Sequence, residues 1–261
     1  MNLKDKIIAF DIDGTLARSD SNPSQYSIDV LKELINDGYN ITLVTGRNII
    51  SSVKIYRKCG MKIAGVFCNG ALVCYPLTDV RIKDIVIPLN DLYDIIDDQE
   101  LMQYVDDMLI EIGEKSYALT GKLWKHADVI GDFKKTVPVA PNSIVINAKS
   151  HEVQENIKQI INRSENYRYR HWWLVGEFYS ANFTKREGVI DLLNHYNKTR
   201  DDLIFFGDAE NDREILEYAG LGIAMKNADE DTKKCANQIT DFTNEEDGAV
   251  KHLLKLIEEN K

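Results

Sequence analysis

Positive charge is scarce in this sequence. Its 261 residues contain 32 Lys and Arg against 42 Asp and Glu, which gives a net charge of −10. A chain this acidic lacks the basic surface that nucleic-acid binding requires, so we expect no nucleic-acid partner. A basic amphipathic helix of the kind that binds membrane surfaces is also missing. To bind an anionic substrate, such a chain must concentrate its few cations at one site or use a metal ion.

Long apolar stretches and paired cysteines are missing as well. No stretch approaches the roughly 18 apolar residues of a transmembrane helix, so we expect no membrane span. The apolar run before Asp11 is too short for the apolar region of a signal peptide. The four cysteines form no C-x-x-C pair, which indicates reduced and mostly buried thiols rather than a disulfide framework. We therefore expect a cytoplasmic protein.

The apolar residues that are present lie in short, continuous runs. Four of these runs, each followed by polar or small residues, lie at 7–10, 41–44, 203–206 and 221–225. Continuous apolar runs are typical of a parallel sheet that is covered on both faces. Stretches with helical spacing lie between the runs. The alternation predicts an α/β fold with a Rossmann-like, doubly wound parallel sheet.

The middle of the chain has a different pattern. Between residues 79 and 182 the predicted strands are more polar and more strictly alternating, and helical stretches accompany them. This predicts an α+β domain inserted into the α/β domain. The chain is between one and two average domains long, which permits such a division. The predicted organisation is a catalytic core of 1–78 and 183–261 with an inserted cap of 79–182.

Four local patterns give more detailed predictions. Ser27 is predicted to cap the first long helix, and Thr184-Lys185-Arg186-Glu187 reads as a capping box that begins a later one. The dipeptide Asn69-Gly70 is typical of a two-residue type I′ hairpin. Residues 167–174 are predicted to form one strand with Trp173 on the same face as Tyr167, Tyr169 and His171.

Two carboxylates follow the first predicted strand directly. Asp11 and Asp13 lie just beyond residues 7–10, and ligands of open α/β sheets bind beyond the carboxyl ends of the strands. An ordinary polar turn with an Asp cap is the alternative. A calcium-binding loop is disfavoured, because Gly14 and Asn22 do not match its glycine at position six and glutamate at position twelve.

Three further motifs follow other strands or open a helix. Gly207-Asp208-Ala209-Glu210-Asn211-Asp212 is a second acidic strand end, and two such ends can converge on one hard cation. Thr45-Gly46-Arg47 combines a hydroxyl with a backbone N–H at a helix start, which can bind an anion. Lys185 lies beside the capping box. Taken singly, these motifs could be a polar turn, a helix cap and a solvated lysine.

Taken together, the motifs resemble the haloacid dehalogenase superfamily of phosphohydrolases, in its Cof-like, type IIB branch. The motifs occur in the order of that family: Asp11-Ile12-Asp13-Gly14-Thr15, Thr45, Lys185, and Gly207-Asp208-Ala209-Glu210-Asn211-Asp212. The insertion between the second and third motifs resembles the α/β cap of the branch. The resemblance covers nearly the whole chain and is specific in the core.

The resemblance implies a role for each motif residue. Asp11 would be the nucleophile that forms an aspartyl-phosphate, and Asp13 would be the general acid and base. Mg²⁺ would be held by Asp11, the backbone carbonyl of Asp13 and Asp208. The phosphoryl oxygens would be held by Thr45, the Gly46 N–H, Lys185 and Asn211. Asp212 would orient Lys185 or a metal-bound water.

The resemblance implies a Mg²⁺-dependent phosphatase that acts on small phosphomonoesters. Sugar phosphates are the first substrate class expected, followed by phosphorylated cofactors such as pyridoxal phosphate or FMN. A phosphomannomutase-like phosphomutase is an alternative, although the insertion lacks an arginine-rich sugar-phosphate motif. A non-catalytic module that binds a phospho-ligand is a further alternative, but Asp11, Asp13, Lys185 and Asp208 are all intact. The sequence indicates no oligomeric state.

Overall fold

The computed structural model describes residues 2–78 and 80–260. In chain order the strands are β1 (Ile7–Phe10), β2 (Asn40–Leu43), β3 (Gly65–Phe67), β4 (Leu72–Tyr75), β5 (Val80–Asp84), β6 (Val105–Ile112), β7 (Lys115–Ala118), β8 (Val129–Ile130), β9 (Ser143–Ala148), β10 (Tyr167–Trp172), β11 (Val175–Ser180), β12 (Leu203–Gly207), β13 (Leu221–Ala224) and β14 (Gln238–Ile239). The helices are α1 (Gln25–Asn36), α2 (Ile49–Cys59), α3 (Leu89–Asp97), α4 (Gln99–Met102), α5 (Phe133–Thr136), α6 (Gln154–Ile161), α7 (Lys185–His195), α8 (Arg213–Tyr218), α9 (Glu230–Lys234) and α10 (Gly248–Glu259).

The chain divides into two compact units. One unit comprises Met1–Lys83 and Thr184–Lys261, and the other is Asp84–Phe183. The sequence predicted an insertion that begins at residue 79, which lies outside the described residues. The second unit begins later because β5 is the third strand of a sheet with β3 and β4, so most of β5 belongs to the first unit.

A five-stranded parallel sheet lies at the centre of the first unit. Its strand order is β14-β13-β12-β1-β2, and Phe10 of β1 is paired with Phe206 of β12 and with Leu43 of β2. Every residue of β1 and of β12 is buried, as expected for strands that are covered on both faces. The predicted α/β fold with a parallel sheet is confirmed. The carboxyl ends of β12, β1 and β2 therefore lie side by side.

A sheet of β3, β4 and β5, in which β3 and β4 are antiparallel, adjoins the parallel sheet through a bridge between Val44 and Val66. Phe67 of β3 is paired with Leu72 of β4, so the connection has four residues, 68–71. Within this connection the Ala71 N–H donates to the Cys68 carbonyl at 3.1 Å, so Asn69 and Gly70 are the two central residues of the turn, as predicted. Asn69 has φ 51° and ψ 33° and Gly70 has φ 100°, the positive values that a type I′ turn has at both central positions, and Cys68 before them also has a positive φ, of 51°.

The helix starts depend on local hydrogen bonds. Helix α1 is capped by Ser24, whose hydroxyl accepts a hydrogen bond from the Ser27 N–H at 3.0 Å, so the predicted cap at Ser27 is wrong by three residues. The capping box of α7 is confirmed, because the Glu187 carboxylate accepts from the Thr184 N–H and the Thr184 hydroxyl accepts from the Glu187 N–H. The box fixes Lys185 in the first turn of α7.

Helix lengths bear on the question of membrane insertion. Helices α1 and α10 have 12 residues each, whereas a helix needs about 20 apolar residues to span a bilayer. Within residues 2–78 and 80–260, no helix combines the length and the apolar character that crossing a membrane requires.

The second unit consists of a six-stranded sheet and helices α3 to α6. The strand order is β10-β11-β9-β6-β7-β8, with antiparallel neighbours except for the parallel pair β7 and β8. Its core joins sheet and helix residues, among them Met108, Ile110, Ile144, Ile146, Ile157, Ile160, Phe133 and Phe178. The predicted strand 167–174 ends at Trp172, whose side chain lies outside the described residues. Trp173 lies in the following turn with φ 55° and an exposed fraction of 74%, so its predicted place on the strand is wrong.

Gly188→Ala should destabilise the first unit, because α7 packs very closely on the connection after β3. A Cβ at this position would lie 2.7 Å from Val66 Cγ1 and 2.8 Å from the Gly70 Cα. We expect the free energy of unfolding to fall by about 1–3 kcal/mol, although alanine is ordinarily the better helix former. Urea denaturation measures this change. Asn194→Ala, at an exposed position of the same helix, is the matched control and should change stability by less than about 0.5 kcal/mol. Equal stabilities of the two variants would contradict this packing.

Candidate active site

Three of the predicted site residues follow neighbouring strands at one edge of the parallel sheet. Asp11 follows β1, and its N–H donates to the Phe206 carbonyl of β12 at 2.9 Å. Asp208 follows β12 directly. Thr45 lies two residues beyond β2, where its N–H donates to the Val66 carbonyl at 2.9 Å. The sheet order therefore brings together residues that are far apart in the sequence.

Lys185 lies at the centre of this edge. Its Nζ donates to Asp11 Oδ1 at 2.8 Å and to Asp212 Oδ1 at 2.5 Å. The lysine is only 3% exposed, and a buried ammonium group is tolerated only when it is paired. Burial opposes the charge on Lys185, but the two carboxylates outweigh burial and raise its pKa. Lys185 is therefore an ammonium ion in the folded protein.

Asp11, Asp208 and Asp212 form an acidic cluster around this lysine. Each offers a carboxylate oxygen, and these oxygens lie within 4.8 Å of one another. Burial raises the pKa of Asp11 to about 6, with Lys185 opposing the shift and Asp212 adding to it. Burial also raises the pKa of Asp208 to about 7, and the charges of Asp11 and Asp212 add to that shift. One ammonium group does not balance three carboxylates, and this arrangement of oxygen ligands fits a hard divalent cation.

Asp212 is held by backbone groups on the same turn as Asp208. Its Oδ2 accepts from the N–H groups of Asp208 and Ala209 at 3.0 and 3.1 Å, while its Oδ1 accepts from Lys185. The side chain is fully buried. Asp212 therefore links the turn after β12 to the first turn of α7.

Asp13 lies apart from the acidic cluster. Both of its carboxylate oxygens accept hydrogen bonds from Arg47, from Nε at 2.8 Å and from Nη2 at 2.5 Å. The Asp13 side chain is 61% exposed, whereas that of Arg47 is 16% exposed. Arg47 belongs to the motif Thr45-Gly46-Arg47 but was not among the predicted site residues. Its position directly after Thr45-Gly46 was the signal that could have identified it.

The segment from Thr45 to Arg47 is not the first turn of a helix. Helix α2 begins at Ile49 and is capped by Asn48, so the prediction that the motif Thr45-Gly46-Arg47 opens a helix is wrong. The Thr45 hydroxyl is buried and accepts a hydrogen bond from the Arg47 N–H at 3.1 Å. Thr45 and Gly46 therefore form a tight turn beyond β2, and the dipole of α2 does not begin there.

A loop that sequence reasoning missed connects the predicted phosphate-binding residues. The Asn69 N–H donates to the Thr45 carbonyl at 3.2 Å, and the Asn69 Oδ1 accepts from Asn211 Nδ2 at 3.0 Å. Gly70 approaches the start of α7 so closely that a Cβ would lie 3.1 Å from the Lys185 Cα. The loop 68–70 thus contacts three of the predicted phosphate-binding residues. The Asn-Gly dipeptide was its signal, and it was interpreted only as a turn.

Two further polar contacts hold the segment after Asp13. The Thr15 hydroxyl donates to Asp208 Oδ1 at 2.9 Å. Asn227 Nδ2 donates to the Gly14 carbonyl at 2.8 Å. Gly14 itself has φ 74° and faces the Asp208 carboxylate so closely that a Cβ has no room. The Thr15 bond therefore joins the first motif to the last, and the Asn227 bond joins the first motif to the segment after β13.

The chain matches a known protein family over most of its length. A family model described as haloacid dehalogenase-like hydrolase matches residues 8–253. The chain belongs to this family, and the resemblance predicted from the motifs is confirmed. The site residues at the ends of β1 and β12 lie inside the matched range.

Relatives cover nearly the whole chain. The 5-amino-6-(5-phospho-D-ribitylamino)uracil phosphatase YitU of Bacillus subtilis is 29% identical in an alignment that covers 97% of this chain and 98% of that protein. The pyridoxal phosphate phosphatase YbhA of Escherichia coli is 22% identical over 89% of this chain and 92% of its own. The expectation of an enzyme, a phosphatase of the haloacid dehalogenase type, is confirmed by the family match and these relatives.

A solved structure supports the fold. A haloacid dehalogenase-like hydrolase from Bacteroides thetaiotaomicron superposes with a TM-score of 0.87 at 21% identity, covering 96% of this chain and 99% of that one. The predicted fold class, a Rossmann-like α/β core with an inserted α+β domain, is therefore confirmed.

Asp208→Asn should stabilise the metal-free protein at pH 8. The pKa of Asp208 is about 7 in the folded protein against an ordinary 3.8, so between about pH 4 and 7 the folded state binds more protons than the unfolded chain. Stability therefore falls as pH rises through this window. Neutral Asn avoids the loss, and we expect a gain of about 2 kcal/mol, or roughly 4–8 °C in Tm, at pH 8 and less at pH 5.

Thermal melts with and without Mg²⁺ test this expectation. Mg²⁺ should raise the Tm of the wild type at pH 8 but not that of Asp208→Asn, because a charged ligand is lost. Asp37→Asn, at the exposed end of α1, is the matched control and should behave like the wild type. A variant less stable than the wild type at pH 8 without metal would contradict the charge crowding.

Proposed function

We propose that this chain is a Mg²⁺-dependent phosphatase that hydrolyses phosphomonoesters of small metabolites through an aspartyl-phosphate at Asp11. The observation that carries the proposal is the buried Lys185 ammonium between Asp11 and Asp212, next to Asp208. A carboxylate nucleophile, a fixed cation and a group of oxygen ligands within a few ångströms are what phosphoryl transfer needs.

The acidic cluster supports the choice of metal. Asp11 and Asp208, with the backbone carbonyl of Asp13, would hold Mg²⁺ through oxygen atoms. Burial raises the pKa values of Asp11 and Asp208, and neighbouring carboxylates that Lys185 alone does not balance raise them further. When bound, the cation screens these carboxylates from an anionic substrate and stabilises charge on the phosphoryl oxygens.

In the first step the Asp11 carboxylate attacks phosphorus, and the bond from phosphorus to the leaving-group oxygen breaks. Asp13 donates a proton to that oxygen, which becomes a hydroxyl group. In the second step Asp13 takes a proton from a water molecule that attacks phosphorus. The bond from phosphorus to Asp11 then breaks, and inorganic phosphate leaves.

The remaining residues hold the transferring group. Lys185, the Thr45 hydroxyl, the Gly46 N–H and Asn211 would donate to the phosphoryl oxygens, where negative charge is spread in the transition state. Asp212 accepts from Lys185 and from two backbone N–H groups, so it keeps the ammonium group in place during the reaction. The loop 68–70 orients Asn211 through Asn69.

The names of the relatives guide the choice of substrates. One acts on a phosphorylated ribitylamino derivative of uracil and another on pyridoxal phosphate. Both substrates are small phosphorylated metabolites. We propose this class for the chain, with sugar phosphates first and phosphorylated cofactors next.

The proposal predicts metal-dependent phosphate release. Inorganic phosphate should be released from at least one member of a panel of sugar phosphates, sugar-alcohol phosphates, pyridoxal phosphate and FMN when Mg²⁺ is present. A chelator should abolish release, and Ca²⁺ should not restore it, because its longer bonds and higher coordination number can capture Asp11 in a bidentate mode. Asp11→Asn should reduce turnover to background. Full activity in chelator, or in Asp11→Asn, would refute the proposal.

Asp13→Asn should separate the two halves of the reaction. The variant keeps the backbone carbonyl but loses the proton donor, so turnover should fall by about 10²–10⁴. A substrate whose leaving group needs little protonation should still form aspartyl-phosphate. Rapid quenching with radiolabelled or mass-resolved phosphate on Asp11 measures the intermediate. Asp11→Asn provides the blank, and undiminished turnover of alkyl phosphates in Asp13→Asn would contradict the assigned role.

A further inference from the structure

The carboxylate of Asp13 accepts two hydrogen bonds from the planar guanidinium group of Arg47, which acts as a fork. Arg47 Nε and Nη2 donate to the two different oxygens of Asp13, at 2.8 and 2.5 Å. Parallel donors of this kind fix the rotation of a carboxylate, whereas a single ammonium contact leaves it free to turn. Because Asp13 is 61% exposed, packing does little to restrict its side chain, and the fork is the main restraint.

Arg47 is itself anchored on three sides. Its N–H donates to the Thr45 hydroxyl at 3.1 Å, and its carbonyl accepts from the Cys68 N–H at 2.9 Å. Its Nη2 also donates to the Ser21 carbonyl at 3.2 Å. The arginine therefore connects Asp13 to the turn after β2 and to the loop 68–70.

Arg47 could act either on the phosphoryl group or on Asp13, and its contacts distinguish the two roles. A cation reserved for the phosphoryl group would direct its donors at the place where that group binds. Here two guanidinium nitrogens are already engaged by the Asp13 carboxylate, and the Asp13 hydrogen bond raises the pKa of Arg47. The contacts favour an action on Asp13 over a direct action on phosphate.

We propose that Arg47 is a positioning residue that holds the Asp13 carboxyl in the orientation from which it exchanges a proton with the leaving-group oxygen. This inference rests on the proposed function, because it assigns Arg47 a part in the proton transfer of that reaction. Proton transfer demands a placement within about half an ångström, which the fork supplies and an exposed side chain alone does not.

The dependence on the leaving group tests the proposal. Arg47→Lys keeps the positive charge but removes the fork, and Arg47→Gln removes both. In each variant kcat/KM for an alkyl phosphate, such as a sugar phosphate that the wild type hydrolyses, should fall 10–100-fold further than kcat/KM for p-nitrophenyl phosphate. The nitrophenolate leaves with little protonation, so it depends less on Asp13. The loss for the alkyl phosphate should lie in kcat, and inhibition by inorganic phosphate should stay within about twofold of the wild type.

A double-mutant cycle separates action through Asp13 from any other effect. In the Asp13→Asn background, Arg47→Lys should leave the ratio of the two kcat/KM values unchanged, because the group it positions is already gone. Arg18→Lys is the matched control. Arg18 pairs with Asp247 at 2.7 Å in the same unit, outside the proposed machinery, and its replacement should keep the wild-type ratio. Melting temperatures show whether each variant is folded. If Arg47→Gln does not fold, the test depends on Arg47→Lys alone.

Two results would overturn the inference. If both substrates lose activity equally and inorganic phosphate binds more weakly even in the Asp13→Asn background, Arg47 acts on the phosphoryl group itself. If the substrate ratio of Arg47→Lys equals that of the wild type, the fork has no part in proton transfer. Failure of the proposed function looks different, since wild-type protein with Mg²⁺ would then hydrolyse neither substrate, and the role of Arg47 would fall with it.

Discussion

A buried ammonium group is the interaction on which the rest of the structure depends. Lys185 is almost fully buried, and burying an unpaired charge would cost several kcal/mol. Asp11 and Asp212 compensate that cost at 2.8 and 2.5 Å. The charges of the whole cluster are not balanced, because Asp208 adds a third carboxylate that the lysine does not compensate. The cluster therefore lowers the stability of the fold, and the same excess of negative charge attracts a cation.

The fold creates this crowding through the order of its strands. Strands β1 and β12 are parallel neighbours, so the carboxylates that follow them meet at one edge of the sheet. An antiparallel arrangement would direct them to opposite edges. Burial at this edge, together with the repulsion between the carboxylates, raises the pKa values of Asp11 and Asp208 to about 6 and 7. The helix that carries Lys185 packs against the same edge, and the capping box fixes its first turn.

Close backbone approach brings the lysine to that edge. Gly70 leaves no room for a side chain beside Thr184 and Lys185, and Gly188 leaves none beside Val66. The loop 68–70 that makes this approach also holds Asn69, which accepts from Asn211. Its unusual positive φ angles at Cys68 and Asn69 lie at the candidate site, as backbone strain in proteins often does. One short loop therefore takes part both in the packing of α7 and in the contacts of the candidate site.

The sequence by itself determined the features that are encoded within a few residues. Runs 7–10 and 203–206 predicted buried parallel strands because covering both faces of a strand requires continuous apolar residues, and the box Thr184–Glu187 predicted the start of α7 because its hydrogen bonds are local. The contacts of Asp13 with Arg47, 34 positions away, and of Asn69 with Asn211, 142 positions away, were decided only by the tertiary structure. Such contacts depend on strand order and on how closely helix and loop pack, and no local pattern of residues carries that information.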